Sequence, residues 1–310
     1  MAFSLHPGTG PTDKPVLSLV ANPGKRRAVI DLAVEAERRG FPAIACPSLG
    51  GALGLCASLV HATTSIGFFT SIQPIYLGNP RDIAALAAHF HEVSGGRFGL
   101  GLGISHVAML RRFGVTPSDK PLTDMTDYVA ALRASVDYAG ELPPIFLATL
   151  RDRMLDFALG AAEGALWANA ARRDLPRQVA RIAASRPDGF TLANMIPTVI
   201  TDDLAAARAI HRRTMMNYVV LPNYRNYWKA AGYVEEMETI EAALSRRERD
   251  RLPELMSDAW LDDCTLSGPP DAIRAGLAAY AAIGVTPVAV MSSTSGGQAK
   301  AVAELFAAYD

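Results

Sequence analysis

The stretch GRFGLGLGISH, residues 96–106, places Gly99, Gly101 and Gly103 at alternate positions inside a run that otherwise reads as a β-strand. Glycine is disfavoured in strands because it loses the most backbone entropy on folding and packs nothing. Side chains two apart in a strand share a face, so Phe98, Leu100 and Leu102 point one way and the glycines the other. The bulky face is expected to pack on helices. The glycine face either opens a space in which a flat ligand ring can rest, or only relieves crowding in a sheet core. A GxGxxG dinucleotide loop is excluded by context, because the glycines lie within the strand and no third glycine follows Gly103 at the right spacing.

Outward from this strand the chain alternates regularly. KPVLSLVANPG (14–24) is a short apolar strand closed by a Pro-Gly turn, and Lys25 to Arg39 carries Val29, Leu32, Ala33 and Ala36 at helical spacing. Gly40 stands where a helix C-cap glycine belongs, and AIACPS (43–48) follows as a second strand. Pro80 to Val93 reads as a helix opened by Pro and Asp, and PIFLAT, GALWAN, GFTLANMIPTVI and TPVAVM supply later strands between helical stretches. Eight short apolar strands alternating with helices predict a parallel sheet closed into an α/β (β/α)8 TIM barrel. The expected layout is a flexible arm over 1–14, one barrel domain over 15–310, and a helical insertion around 202–267 before the eighth strand.

The bulk numbers restrict the chemistry. Of 310 residues half are apolar and 20% charged, and the formal net charge of −1 comes with interspersed signs. That gives no electrostatic footprint for nucleic acid or an anionic membrane. Cys46, Cys56 and Cys264 are odd in number and lack CxxC spacing, so reduced thiols are expected. The N-terminus lacks signal-peptide character and no apolar run reaches the length of a membrane span, which predicts a cytoplasmic protein. His89 and His91, two apart on a helix, do not form a metal pair, and no metal site is expected. Neither a GxSxG elbow nor a P-loop occurs.

SGGRFGLGLGISH resembles the fourth-strand signature of the bacterial luciferase-like family of flavin- and deazaflavin-dependent oxidoreductases. AVEAERRGFPAIACPS, TTSIGFFTSIQPIYLGNPRDIAALAAHFHEVSGGRF and PPIFLATLRDRMLDFALGAAEGALWAN are similar to further segments of that family, and NYVVLPNYRNYWKAAGY resembles its actinobacterial branch dependent on coenzyme F420. The resemblance covers nearly everything after Pro15.

It implies an oxidoreductase that moves a hydride between coenzyme F420 and a small organic substrate; with FMN instead, reaction with oxygen would make a monooxygenase. The matching positions place Thr70 and Ser71 in a bulge with a non-prolyl cis peptide behind the cofactor ring. Gly101, Gly103 and Ser105 fall beside the ring, and His106 is placed to bond the ring edge or substrate, or merely to line the cavity. The phosphate is implied to sit on Ala148, Thr149, Leu150 and Arg151, with Asn169, Arg172 and Arg173 able to approach, an anion cradle of free amides and guanidinium charge. Ser48, Gln73, Tyr76 and Tyr224 are the implied substrate pocket, Tyr224 within an aromatic cluster that grips an apolar substrate or serves helix packing. A homodimer is expected from the resemblance alone.

Two departures stand out. LATLRDRM replaces the family's glycine-containing LGALGPRM and adds Asp152, and Pro47-Ser48-Leu49-Gly50-Gly51 lacks the acidic residue that relatives carry after strand two. They motivate a different reading, a non-catalytic barrel with a degenerate cofactor site that acts as a binding protein.

Overall fold

In the computed structural model, which describes residues 13–310, ten strands form one parallel sheet. They are β1 (Val16–Ser18), β2 (Ala43–Cys46), β3 (Gly67–Thr70), β4 (Gln73–Pro74), β5 (Phe98–Gly103), β6 (Ile145–Ala148), β7 (Gly164–Ala168), β8 (Thr191–Ile200), β9 (Leu266–Gly268) and β10 (Thr286–Ser292). β10 pairs with β1 on one side and with β8 on the other, so the eight strands β1, β2, β3, β5, β6, β7, β8 and β10 close into a barrel, as the alternating pattern predicts. β4 resumes the line of β3 after a break and pairs with Leu102 and Gly103, while β9 lies against the last residues of β8.

Strand parity sorts the core into two layers. Val16, Ala43, Ala45, Phe69, Phe146, Leu166, Ala193 and Val288 form a cluster inside the barrel. Their sequence neighbours Leu17, Ile44, Phe68, Ile145 and Trp167, together with Phe98, Leu100 and Leu102 of β5, belong to the outer layer under the helices. Phe69 and Phe146 meet edge-on inside the barrel with ring centroids 6.0 Å apart, a favoured aromatic geometry.

Local chemistry starts and stops the helices where the sequence suggests. The helix Pro80–Val93 begins with Asn79 accepting from the Arg81 amide, proline in its first turn and Asp82 at its positive end, and it ends before Gly95 and Gly96 at positive φ. Between β8 and β10 the chain folds into the helices Leu204–Val219, Pro222–Ala230, Val234–Ser245, Leu252–Leu255 and Asp258–Cys264. Most of the expected N-terminal arm, residues 1–12, lies outside the described residues. Lys14 is anchored, donating to the Arg39 carbonyl and lying over the Phe41 ring. No helix among the described residues is long and apolar enough to cross a membrane.

Candidate active site at the barrel mouth

Of the two readings of the β5 glycines, relief of crowding is the one that fits. A Cβ on Gly101 would lie 1.9 Å from the Thr70 carbonyl oxygen, and one on Gly103 would lie 2.7 Å from the Ile72 side chain and 3.0 Å from Ala148 Cβ. These two positions are not left open for a ring; they admit the end of β3. Thr70 Oγ1 donates to the Gly101 carbonyl at 2.7 Å, and the Ser71 amide donates to the Cys46 carbonyl at 2.8 Å. The peptide bond between Ser71 and Ile72 is cis. Ile72 is thereby laid across Gly103, packing on the inner barrel cluster with one side still accessible. Ile72, Ala148, Ala168 and Val290, in the C-terminal halves of their strands or just beyond, and Met195, level with Ala168 by register, are only half-buried. Together they give an apolar ledge at the end of the barrel where enzymes of this architecture carry their sites.

Polar groups surround that ledge. Ser18 Oγ, Ser71 Oγ, Thr149 Oγ1 and Asn169 Nδ2 sit at or just past the C-terminal ends of β1, β3, β6 and β7, and all four residues are at most 7% exposed. None of these atoms has a hydrogen-bond partner. A buried polar atom left unpaired costs about 1–3 kcal/mol, so these four, gathered at the C-terminal ends of the strands, are available to a bound group. Ser105 and Asn169 both hold left-handed backbone, with φ of 66° and 57°. Sequence reasoning assigned nothing to Ser18, although it is a lone polar residue in the apolar run VLSLV.

The phosphate segment is rearranged in detail. The Thr149 amide donates to the Leu166 carbonyl at 2.8 Å and is not free. The helix Asp152–Ala161 that follows Leu150 and Arg151 has no side-chain cap, so its first-turn amides remain available to an anion. Asp152 is held away from that role, accepting from Gln178 Nε2 at 3.1 Å and lying 3.8 Å from Arg181. Arg151 and Arg153 are exposed beside the same helix end. Arg172 and Arg173 turn elsewhere: the Arg172 amide bonds the Asp263 carbonyl, and Arg173 pairs with the Asp263 carboxylate at 3.1 Å and stacks on Tyr233.

The inserted helices roof the opening. His106, directly after β5, makes ring contacts at 6.0 Å with both Tyr218 and Tyr224, whose own centroids are 5.0 Å apart. Burial lowers the proton affinity of His106, which favours the neutral imidazole. Trp228 continues the stack from Tyr224 and donates to the Asn169 carbonyl at 3.2 Å. The remaining pocket residues are less free. Gln73 bonds the Pro74 carbonyl, Tyr76 donates its hydroxyl to Asp124, and Ser48, half-buried after β2, accepts the Gly51 amide through its carbonyl.

A glycine-supported bulge follows the third barrel strand, and an uncapped helix follows the fifth. Residues 5–287 match the model of the family described as luciferase-like monooxygenase. The chain belongs to that family. It is 24% identical to a Mycobacterium tuberculosis protein named as a coenzyme F420-dependent oxidoreductase, a match covering 86% of this chain and 90% of that one. The fold is shared with the F420-dependent tetrahydromethanopterin reductase of Methanopyrus kandleri, at a TM-score of 0.71 and 17% identity over 95% of this chain and 97% of the other. It is shared also with the oxygenating constituent of 3,6-diketocamphane monooxygenase from Pseudomonas putida in complex with FMN, at a TM-score of 0.61 and 15% identity over 89% and 91%. This luciferase-like chain thus carries the barrel that its sequence signature implied.

Proposed function

We propose that the protein is an oxidoreductase that holds coenzyme F420 at the barrel mouth and transfers a hydride between it and a small organic substrate. The observation that carries this reading is the set of unpaired buried polar atoms around an apolar ledge. A fused-ring cofactor with a polar edge fits such a place: Ile72 and Met195 offer a flat apolar support, while Ser18, Ser71 and Thr149 offer hydrogen bonds. The free amides of the helix Asp152–Ala161 and the Arg151 guanidinium suit its phosphate. When bound, the deazaflavin supplies hydride chemistry at its ring carbon 5; the chain contributes orientation and exclusion of water. The Asp152 carboxylate is partly compensated by Gln178 and Arg181, which supports an anion at the same helix end despite the departure in LATLRDRM.

FMN is the alternative cofactor, supported by the FMN-bound relative of the same fold, and would make the reaction an oxygenation. Parallel fluorescence titrations with oxidised F420 and with FMN distinguish them. Saturable binding of one is expected, weakened about tenfold or less by Thr149→Val, which removes a single hydroxyl bond of about 1 kcal/mol. Failure of both to bind would sink the redox reading in favour of a non-catalytic barrel. A cytosolic homodimer belongs to the same proposal, with light scattering as the check on the dimer and cell fractionation on the compartment.

A further inference from the structure

The turn that leaves β7 keeps none of its amides free. The Asn169 amide donates to the Met195 carbonyl at 3.0 Å, that of Ala170 to Asn194 Oδ1 at 3.3 Å, and that of Ala171 to the Tyr227 hydroxyl at 3.0 Å. The Arg172 amide donates to the Asp263 carbonyl at 2.8 Å, the Arg173 amide to Asp263 Oδ1 at 3.1 Å, and the Asp174 amide closes back on the Ala171 carbonyl at 3.0 Å. The acceptors on Tyr227 and Asp263 belong to the inserted helices, as does the Trp228 indole that donates to the Asn169 carbonyl. Backbone groups paired in this way have nothing left for a phosphate. What the turn offers the mouth is the Asn169 side chain, whose buried Nδ2 has no partner.

Asp263 does most of this holding. It lies in the last turn of the helix Asp258–Cys264 and is buried. Its carboxylate takes the Arg173 amide on Oδ1, and Arg173 Nε at 3.1 Å and the Tyr233 hydroxyl at 3.0 Å on Oδ2. Hydrogen bonds to an ionised acceptor are the strong ones. The neighbouring Asp262 turns the other way and pairs with Arg208 at 3.1 and 2.6 Å, so the helix is tied both to the turn and to the helix Leu204–Val219. Asn169 keeps left-handed backbone at the head of the turn, a conformation that a non-glycine residue holds where its surroundings fix it.

We propose that Asp263 is a positioning residue for cofactor binding: it fixes the turn after β7 from the inserted helices, so that the Asn169 side chain, and no amide of that turn, meets the bound group. The inference rests on the redox reading above and adds to it a residue that acts through another. It also confines the phosphate to the uncapped end of the helix Asp152–Ala161, where amides are free and Arg151 is exposed. Asparagine in place of Asp263 keeps an oxygen for the Arg173 amide and turns an N–H toward the Tyr233 oxygen. The Arg173 side chain, 53% exposed, is free to swing into water. Alanine leaves the Arg173 amide and the Tyr233 hydroxyl without their acceptor.

The test is a fluorescence titration with F420, repeated with FMN, of the unaltered protein, Asp263→Ala, Asp263→Asn, Asn169→Ala and the double variant Asn169→Ala/Asp263→Ala. Asn169→Ala is expected to weaken binding about fivefold, the worth of one hydrogen bond, and Asp263→Ala about threefold or more without exceeding it, while Asp263→Asn stays within about twofold of the unaltered protein. Because Asp263 acts through Asn169, the double variant should match Asn169→Ala within about 1.5-fold, whereas a merely structural residue would cost the same in both backgrounds. Tyr233→Phe, which removes one partner of the carboxylate, serves if Asp263→Ala does not fold: a loss of about twofold is expected with Asn169 present and none without it. No effect of Asn169→Ala, no effect at Asp263, or equal losses in the two backgrounds would overturn the inference and leave cofactor binding standing. Failure of the unaltered protein to bind F420 or FMN would overturn the redox reading and this inference with it.

Discussion

Gly101 and Gly103 share one motif and one face, yet their surroundings differ in kind. At Gly101 the obstacle is the Thr70 backbone carbonyl, which cannot move without pulling β3 from β5; at Gly103 it is the Ile72 side chain, with Cγ1 at 2.7 Å and Cδ1 at 2.8 Å, and then Ala148 Cβ at 3.0 Å. Gly101→Ala is therefore expected to destabilise by about 3 kcal/mol or more, or to prevent folding, whereas Gly103→Ala stays within about 1–2 kcal/mol and is relieved in part by adding Ile72→Ala, which removes both crowding atoms of that side chain. Urea denaturation of the three variants separates the cases; equal losses at the two glycines would contradict this account. His211 offers a pH test at the same scale. It is 1% exposed, and its Nε2 lies 3.2 Å from the Leu266 carbonyl, so that nitrogen carries the proton while buried Nδ1 has no partner. Burial lowers its pKa to about 4. Between about pH 6.5 and 4 the unfolded chain binds the extra proton, so stability is complete above this window and falls as pH drops through it. The integrated loss is about 3 kcal/mol. Replacing His211 with Gln should flatten the decline in denaturation midpoints measured from pH 7 to 4.5.

At the scale of elements, Arg97 shows what the signature SGGRF does besides punctuate. Its guanidinium donates to Thr63 Oγ1 at 2.8 Å and to the carbonyls of Val60, Thr63, Ile66 and Ser94, over the Phe68 ring. It closes the end of the helix Ala52–Ala62 and binds it to β3 and to the turn before β5, satisfying carbonyls that the helix cannot. Lysine has the charge but not the planar fork, so Arg97→Lys should lose about 2–3 kcal/mol in chemical denaturation; a neutral result would mean water replaces these bonds without penalty. The helix Pro80–Val93 was legible to its ends because asparagine, proline and paired glycines act locally. The inserted helices were legible only as a helical region, since their bounds depend on long-range contacts such as Trp228 on Asn169 and Tyr233 on Asp263.

Across the whole molecule the barrel is sealed by aromatic packing and opened by small residues above it. Phe69 and Phe146 fill the interior, while Ala148 and Ala168 leave the mouth accessible. Phe146→Ala should cost about 3–5 kcal/mol and hollow out the barrel beneath the cofactor site. Calorimetry measures the loss, and a change under 1 kcal/mol would show that the interior is not what holds the strands together. The alternation of apolar strands and amphipathic helices is written in nearest-neighbour periodicity, so strand order, closure and the two-layer core follow from the sequence by itself. The glycine stripe was also visible there, but its purpose was not: whether it faces open space or the Thr70 carbonyl depends on how residues 31 positions apart meet. The same limit applies to Ser18, Thr149, Asn169 and Tyr218. Their residue types are ordinary, and only tertiary structure could decide that three of them hold buried, unpaired polar atoms around one opening and that the fourth roofs it, because burial and pairing are properties of the closed barrel rather than of any segment.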